Sequence, residues 1–200
     1  MFQCTITAMK NIRTFIAIPL ARDVDRNAAR MLQRLKQPND GIKWVPHENL
    51  HLTLKFLGDV DNTEIPDVCK AIQRICSNYS PFHLDFGGTG AFPSMNRPRI
   101  LYAGIADASG TLQEIVAQLE TSLAELGFKQ EPRDYVPHLT LGRTRSASKV
   151  ANSEVLARLT AEEKTELGSM QVDTLNLVAS FLDKSGPTYQ VMDTITLDFQ

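Results

Sequence analysis

The chain has 200 residues, 42% of them hydrophobic and 22% charged, with a formal net charge of -2. That is one domain's worth of chain, or two small lobes sharing a core, and it excludes disordered, fibrous and disulfide-dependent classes. With no global basic field, a long tracked nucleic-acid backbone is also excluded; a nucleic-acid ligand would be met locally, as an end or a short oligomer.

Taken in chain order, residues 1–10 read as an N-terminal extension, with Met9 as an alternative start, ahead of a single domain over 11–200. The extension lacks the long apolar stretch and small-residue cleavage site of a signal peptide, and no apolar run reaches the length of a membrane span. Segment 12–18 is a β-rich run, followed over 22–37 by Val24, Ala28, Met31, Leu32 and Leu35 at helical spacing. His47, beside Pro46, reads as a surface loop residue. Segment 50–57 alternates as a strand, 62–78 reads as a helix and 81–86 as a strand carrying a structural His83. Gly87-Gly88-Thr89-Gly90 reads as a turn, since the Lys and Ser/Thr of a phosphate-binding loop are missing, and Pro93 to Pro98 reads as a loop. A strand at 99–105 precedes a helix over 109–126 with Leu112, Ile115, Val116, Leu119, Leu123 and Leu126 on one side, stopped by Gly127. Strand 138–141 follows, then a short helix and polar connection over 152–167. Two strands near 170–182 and 188–198 are joined by Asp183-Lys184-Ser185-Gly186. Cys4, Cys69 and Cys76 are odd in number without a C-x-x-C, which argues against a disulfide framework or a zinc site and for a reduced cytoplasm.

The chain reads as a duplication. His51-Leu-Thr-Leu and His138-Leu-Thr-Leu lie 87 residues apart, and the ends of the strand runs at 18 and 105 give the same offset. Period-two alternation turns Leu50, Leu52, Leu54 and Phe56 to one side, as core. It turns His51, Thr53 and Lys55 to the other, with His51 and Thr53 about 6.6 Å apart. His138 and Thr140 repeat the pattern. A symmetry axis relating the halves would face the two strands across a cleft. Two imidazoles near neutral pH supply one proton acceptor and one proton donor for in-line displacement at phosphorus. Two threonine hydroxyls can hold the non-bridging oxygens as charge builds. Such a site requires no metal and no cofactor, and its kcat/KM profile should be a bell near neutral pH. A single H-x-T on a strand would signify little; the matched pair carries the reading. Trp44 and Phe56 could stack a base, but burial is the simpler expectation for both, and Arg133 could line the cleft or pair with Glu131 or Asp134.

These residues resemble the two-histidine (2H) phosphoesterases, and among them the RNA 2′,3′-cyclic phosphodiesterases once called 2′-5′ RNA ligases. The likeness spans roughly 11–200. It rests on Arg13-Thr-Phe-Ile-Ala-Ile-Pro, on Lys43-Trp-Val-Pro-His-Glu-Asn-Leu-His-Leu-Thr-Leu-Lys-Phe-Leu-Gly, on Phe92-Pro before Arg97-Pro-Arg, and on Pro137-His-Leu-Thr-Leu-Gly-Arg143. The resemblance implies an α+β fold of two pseudo-symmetric lobes, each an antiparallel β-sheet with flanking helices, around a central cleft. It implies His51 as general acid, His138 as general base, and Arg143 beside the phosphate with Thr53 and Thr140. Position 143 has the wrong parity for that role in a regular strand; a bulge after Thr140, eased by Gly142, would correct it. Lys55 has the right parity for a cleft contact. The implied partners are RNA ends or short oligonucleotides with a 2′,3′-cyclic phosphate, met by a cytoplasmic monomer without membrane contact. The rival readings are 2′-5′ ligation or 2′-5′ hydrolysis by the same pair, and a nucleotide- or RNA-binding module with no turnover.

Overall fold

The computed structural model describes residues 10–145, 153–182 and 186–198. The elements in order are β1 (Asn11–Ile18), α1 (Arg22–Leu35), β2 (Ile42–Trp44), a 3₁₀ turn (His47–Asn49), β3 (Leu52–Asp61), α2 (Ile65–Cys76) and β4 (Phe82–Phe92). Then come β5 (Ile100–Ala106), α3 (Thr111–Glu125), β6 (His138–Thr144), α4 (Ser153–Ala161), β7 (Glu166–Val172), β8 (Thr174–Leu182) and β9 (Pro187–Thr196). The N-terminal stretch read as an extension lies, apart from Lys10, outside the described residues, as do Asp183, Lys184 and Ser185 of the expected hairpin turn.

The fold is α+β. The strands run β7-β4-β5-β6-β3-β1-β8-β9, every pairing antiparallel, with β2 added alongside β6. One residue pair, Leu52 with Leu139, joins β3 to β6. The sheet is therefore two four-stranded halves meeting edge to edge between the two motif strands. It cannot be flat. Asp173 alone separates β7 from β8, so their facing ends lie within about 7.6 Å. Six strand spacings in a flat sheet would part them by nearly 30 Å. The two halves are curled until they converge again at Asp173. The run near 170–182, read from sequence as one strand, is split there because its residues serve opposite halves.

The helices are exchanged between the halves. α1 follows β1 in one half but lies on β7 and α4 of the other. Asn27 Nδ2 donates to the Leu167 carbonyl at 2.9 Å, Arg158 Nε donates to the Leu35 carbonyl at 3.0 Å, and Arg34 pairs with Glu162 at 2.5 Å. α3 follows β5 but lies on α2 and β3. The apolar faces expected of these helices are the ones buried: Val24, Ala28, Met31, Leu32 and Leu35 on α1, and Leu112, Ile115, Val116, Leu119 and Leu123 on α3. Each of these side chains larger than alanine contributes about 1.5–3 kcal/mol. They join residues of both half-sheets in one continuous core. Gly127, at φ 91°, ends α3 in a left-handed turn that lets the Phe128 N–H reach the Leu123 carbonyl at 3.0 Å. Leu126, expected on the buried face, is left partly exposed beyond that stop.

Gly87-Gly88-Thr89-Gly90 is no turn. It continues β4, with a bulge that inserts Gly88 at φ 66° between the pairs Gly87–Gly104 and Thr89–Ala103. The motif strands keep their 87-residue offset, but the strands beside them do not. Ala17 pairs with Thr53 and Tyr102 pairs with Thr140, which sets β1 and β5 85 residues apart. The match of strand ends at 18 and 105 therefore does not mark equivalent residues. Cys76 is buried, and burial pushes its thiol up to about 12. Among the described residues no helix is long and apolar enough to cross a membrane.

Candidate active site

His51 closes the loop that enters β3, and His138 opens β6. Both are fixed by the same device. His51 Nδ1 lies 2.8 Å from the carbonyl oxygen of Asn49, and His138 Nδ1 lies 2.8 Å from that of Val136. A carbonyl can only accept, so each Nδ1 carries a proton and each Nε2 is left for other work. Asn49 is itself tied down, its Nδ2 donating to the Pro187 carbonyl at 2.9 Å.

Aromatic rings hold both imidazoles. Phe15 stacks on His51 with centroids 4.7 Å apart, and Tyr189 meets its ring edge-on at 5.2 Å. Phe15, Ala17 and Val178, with Tyr189 against them, form a small apolar cluster separate from the main core. Around His138, Phe92 approaches edge-on at 5.0 Å and Tyr102 at 5.8 Å, the two rings stacked on each other at 4.4 Å. Gly90 makes that wall possible: a Cβ there would lie 2.5 Å from the Tyr102 ring. Burial holds the pKa of both histidines below the ordinary value, with the main-chain carbonyls pulling the other way. The Arg143 guanidinium lowers His138 further.

Leu52 and Leu139 point into the core, so their neighbours point to the opposite face. The antiparallel register of that one pair sets His51 alongside Thr140 and Thr53 alongside His138. Both threonines are half-buried, and neither hydroxyl has a hydrogen-bond partner among the described residues. Arg143 reaches the same face because β6 bulges: Leu101 pairs with Gly142 and Tyr102 with Thr140, leaving Leu141 unpaired and reversing the parity beyond it. The guanidinium is close enough to act electrostatically on both His138 and Tyr189. Two histidines, two free hydroxyls and a guanidinium thus share one face.

Comparison with known proteins decides the family. Residues 24–181 match the 2′-5′ RNA ligase superfamily. The chain belongs to this superfamily. It is 33% identical over 187 residues to an RNA 2′,3′-cyclic phosphodiesterase of Methanothermobacter thermautotrophicus, covering 93% of this chain and 99% of that one. An RNA 2′,3′-cyclic phosphodiesterase of Thermus thermophilus is 34% identical over 191 residues, with 93% and 90% covered. A crystal structure of a Thermus thermophilus protein superposes with a TM-score of 0.78 at 28% identity, covering 94% of this chain and all of that one. Escherichia coli LigT complexed with 3′-AMP shares the fold, with a TM-score of 0.75 at 24% identity over 94% of this chain and 98% of that one.

In this member of the superfamily two expected positions are reversed by a second bulge. In β3, Ile16 pairs with Lys55 and Ala17 with Thr53, leaving Leu54 unpaired. Lys55 is turned inward, 4% exposed, and is not a cleft contact. Its Nζ pairs with Glu120 of α3 at 2.5 Å and donates to the Lys129 carbonyl at 3.0 Å. Phe56, expected in the core, is instead 63% exposed. His47 is exposed in the 3₁₀ turn and pairs with Glu48 at 3.0 Å. His83 is exposed on β4, Arg133 is exposed, and Trp44 is half-buried, its Nε1 donating to Asp40 at 2.8 Å.

Sequence reading missed Phe15, Phe92, Tyr102 and Tyr189 as supports of the imidazoles, and Arg13, which acts electrostatically on Tyr189. Period-two parity on β1 puts Arg13 with Phe15, and Gly90 signals close approach by a neighbour; both signals were in the chain. A depression of about 640 Å³ lined by Gln73, Ser77, Asn78 and residues 194–196 and 198 carries none of these groups. Among the described residues no three His, Cys, Asp or Glu side chains are grouped to hold a metal ion.

The threonines give a direct test. Thr53→Ala and Thr140→Ala are each expected to lower kcat about 10²-fold, the scale of one lost transition-state donor. The urea midpoint should stay near wild type, because neither hydroxyl is bonded within the described residues. Wild-type kcat in both variants would remove the hydroxyls from the chemistry.

Proposed function

We propose that the protein hydrolyses 2′,3′-cyclic phosphodiester ends of RNA or short oligonucleotides to a 2′-phosphomonoester, by metal-independent acid–base catalysis with His51 and His138. One observation carries the reading. Each imidazole spends its Nδ1–H on a main-chain carbonyl two residues earlier, which leaves Nε2 for proton transfer on a residue that the register sets alongside a threonine of the other motif. His138 Nε2 takes the proton of the attacking water. His51 gives its Nε2 proton to the departing 3′ oxygen. Thr53, Thr140 and Arg143 hold the phosphate oxygens as negative charge builds. The relatives named as RNA 2′,3′-cyclic phosphodiesterases support the substrate class, and the near-neutral charge suits a short end over a long duplex. A monomer in the cytoplasm completes the proposal.

The test is turnover of a short oligomer ending in a 2′,3′-cyclic phosphate, with the product read by phosphorus NMR. A 2′-phosphate is expected, and activity should be unchanged by EDTA, because the residues themselves provide acid, base and charge donors. A 3′-phosphate product would overturn the assignment of the leaving oxygen. Loss on chelation with rescue by a divalent ion would overturn the two-histidine mechanism, and tight binding without turnover would make the protein a binding module.

A further inference from the structure

We infer that Tyr135 is a positioning residue: its hydroxyl fixes the stretch that orients His138 and keeps the proton of that ring on Nδ1. The inference rests on the reading of His138 as general base. The two half-sheets meet, between the motif strands, through one residue pair, Leu52 with Leu139. Across that joint the Tyr135 hydroxyl donates to the Thr53 carbonyl at 3.0 Å. Tyr135 belongs to neither motif strand. It stands in the segment between α3 and β6, with its ring packed on the main core. Burial pushes its phenol up, so the hydroxyl stays a donor throughout the neutral range.

The next residue is Val136, whose carbonyl accepts the His138 Nδ1–H. Its immediate neighbours give that carbonyl little support: the Val136 side chain is 49% exposed, and Pro137 has no N–H to bond. The first motif solves the same problem with other residues. The carbonyl that orients His51 belongs to Asn49, and the Asn49 side chain donates to the Pro187 carbonyl at 2.9 Å. In each motif a side chain at or beside the orienting carbonyl ties it to a strand. In the first the tie reaches β9, in the same half. In the second it reaches β3, so the orientation of His138 is referred to the main chain of the motif it faces. The chemistry depends on this. A base must keep Nε2 unprotonated, and the ring nitrogen that carries the proton is set by the bond the other nitrogen makes. A neutral imidazole free in water carries its proton mainly on Nε2, where it blocks proton acceptance. Loosening Val136 would let His138 revert to that form.

The experiment replaces Tyr135 by Phe, which keeps the ring and removes only the hydroxyl. Nitrogen NMR of the neutral rings should show His138 passing from the Nδ1–H form to a mixture of the two, with His51 unchanged as the internal control. On a short oligomer ending in a 2′,3′-cyclic phosphate, kcat should fall about 10-fold while KM stays within about twofold. Thermal melting should show the variant folded. A kcat within about twofold of wild type, or an unchanged His138 spectrum, would overturn the inference. So would equal changes at both histidines, which mark a general loosening. A wild type without turnover would overturn the reading of His138 as base, and the nitrogen spectra would still decide whether Tyr135 holds the ring.

Discussion

Replacing His138 by Gln is expected to lower kcat/KM by about 10²–10⁴-fold and to abolish the acidic limb of its pH profile; replacing His51 should cost as much and abolish the basic limb. The base must be neutral to act, so the rate rises as pH climbs through its pKa. The acid must be protonated, so the rate falls as pH climbs through its own. Burial lowers both pKa values, and Arg143 lowers that of His138 further. Both limbs should therefore lie on the acid side of two ordinary histidines, and the optimum of kcat/KM moves below the near-neutral bell that residue types alone predict. A bound phosphate anion favours the imidazolium, so the kcat profile should be displaced back towards higher pH. The limbs report the interacting pair and not either residue alone. A flat wild-type profile with chemistry rate-limiting, or single variants within a few-fold of wild type, would end the two-histidine account.

Removing Lys55 is expected to damage the fold before the chemistry. Its ammonium is buried against Glu120, whose Oε2 also accepts the Glu131 N–H at 3.0 Å, and it donates to the Lys129 carbonyl. These bonds clamp the segment that leads into His138 back onto α3 and β3. Nearby, Tyr135 donates to the Thr53 carbonyl at 3.0 Å. Lys55→Ala leaves the Glu120 carboxylate without its counter-charge and the Lys129 carbonyl without its side-chain donor, at a cost of about 3–5 kcal/mol. Urea unfolding should show this as a lower midpoint with unchanged slope. The double variant Lys55→Met with Glu120→Gln should regain part of the loss, since a neutral, well-filled pair avoids the stranded charge. Stability within about 0.5 kcal/mol of wild type together with a tenfold loss of kcat would return Lys55 to the substrate side.

The sequence made some parts of this protein readable and hid others for physical reasons. Helix faces could be read because burial follows a period of 3.6: the apolar positions named for α1 are the buried ones. That the two histidines and two threonines share one face could be read because the same tetrapeptide occurs twice. Lys55 and Phe56 were misplaced because a bulge slips the main chain by one residue without requiring a telltale side chain; both change face before a further bulge at Leu57 restores the parity that buries Val60. Gly142 hinted at such a slip in β6, and no comparable glycine marks Leu54. The partner of Lys55 lies 65 residues away on α3, beyond any periodic pattern. The exchange of helices was hidden for a related reason: an amphipathic helix records that it is covered, not which half-sheet covers it.

That exchange governs how the site can move. Each half of the sheet is backed by a helix from the other half, and both are held in one core. Spreading the halves would peel α1 from β7 and α3 from β3 together, exposing apolar faces at a free-energy cost approaching that of global unfolding. If His51 and His138 are the proton donor and acceptor proposed above, their separation is therefore set by the core. Effective molarity is built in before the substrate arrives. On the proposed reading, selection would then fall on what fits between the two motif strands, a flexible strand end rather than a stiff duplex.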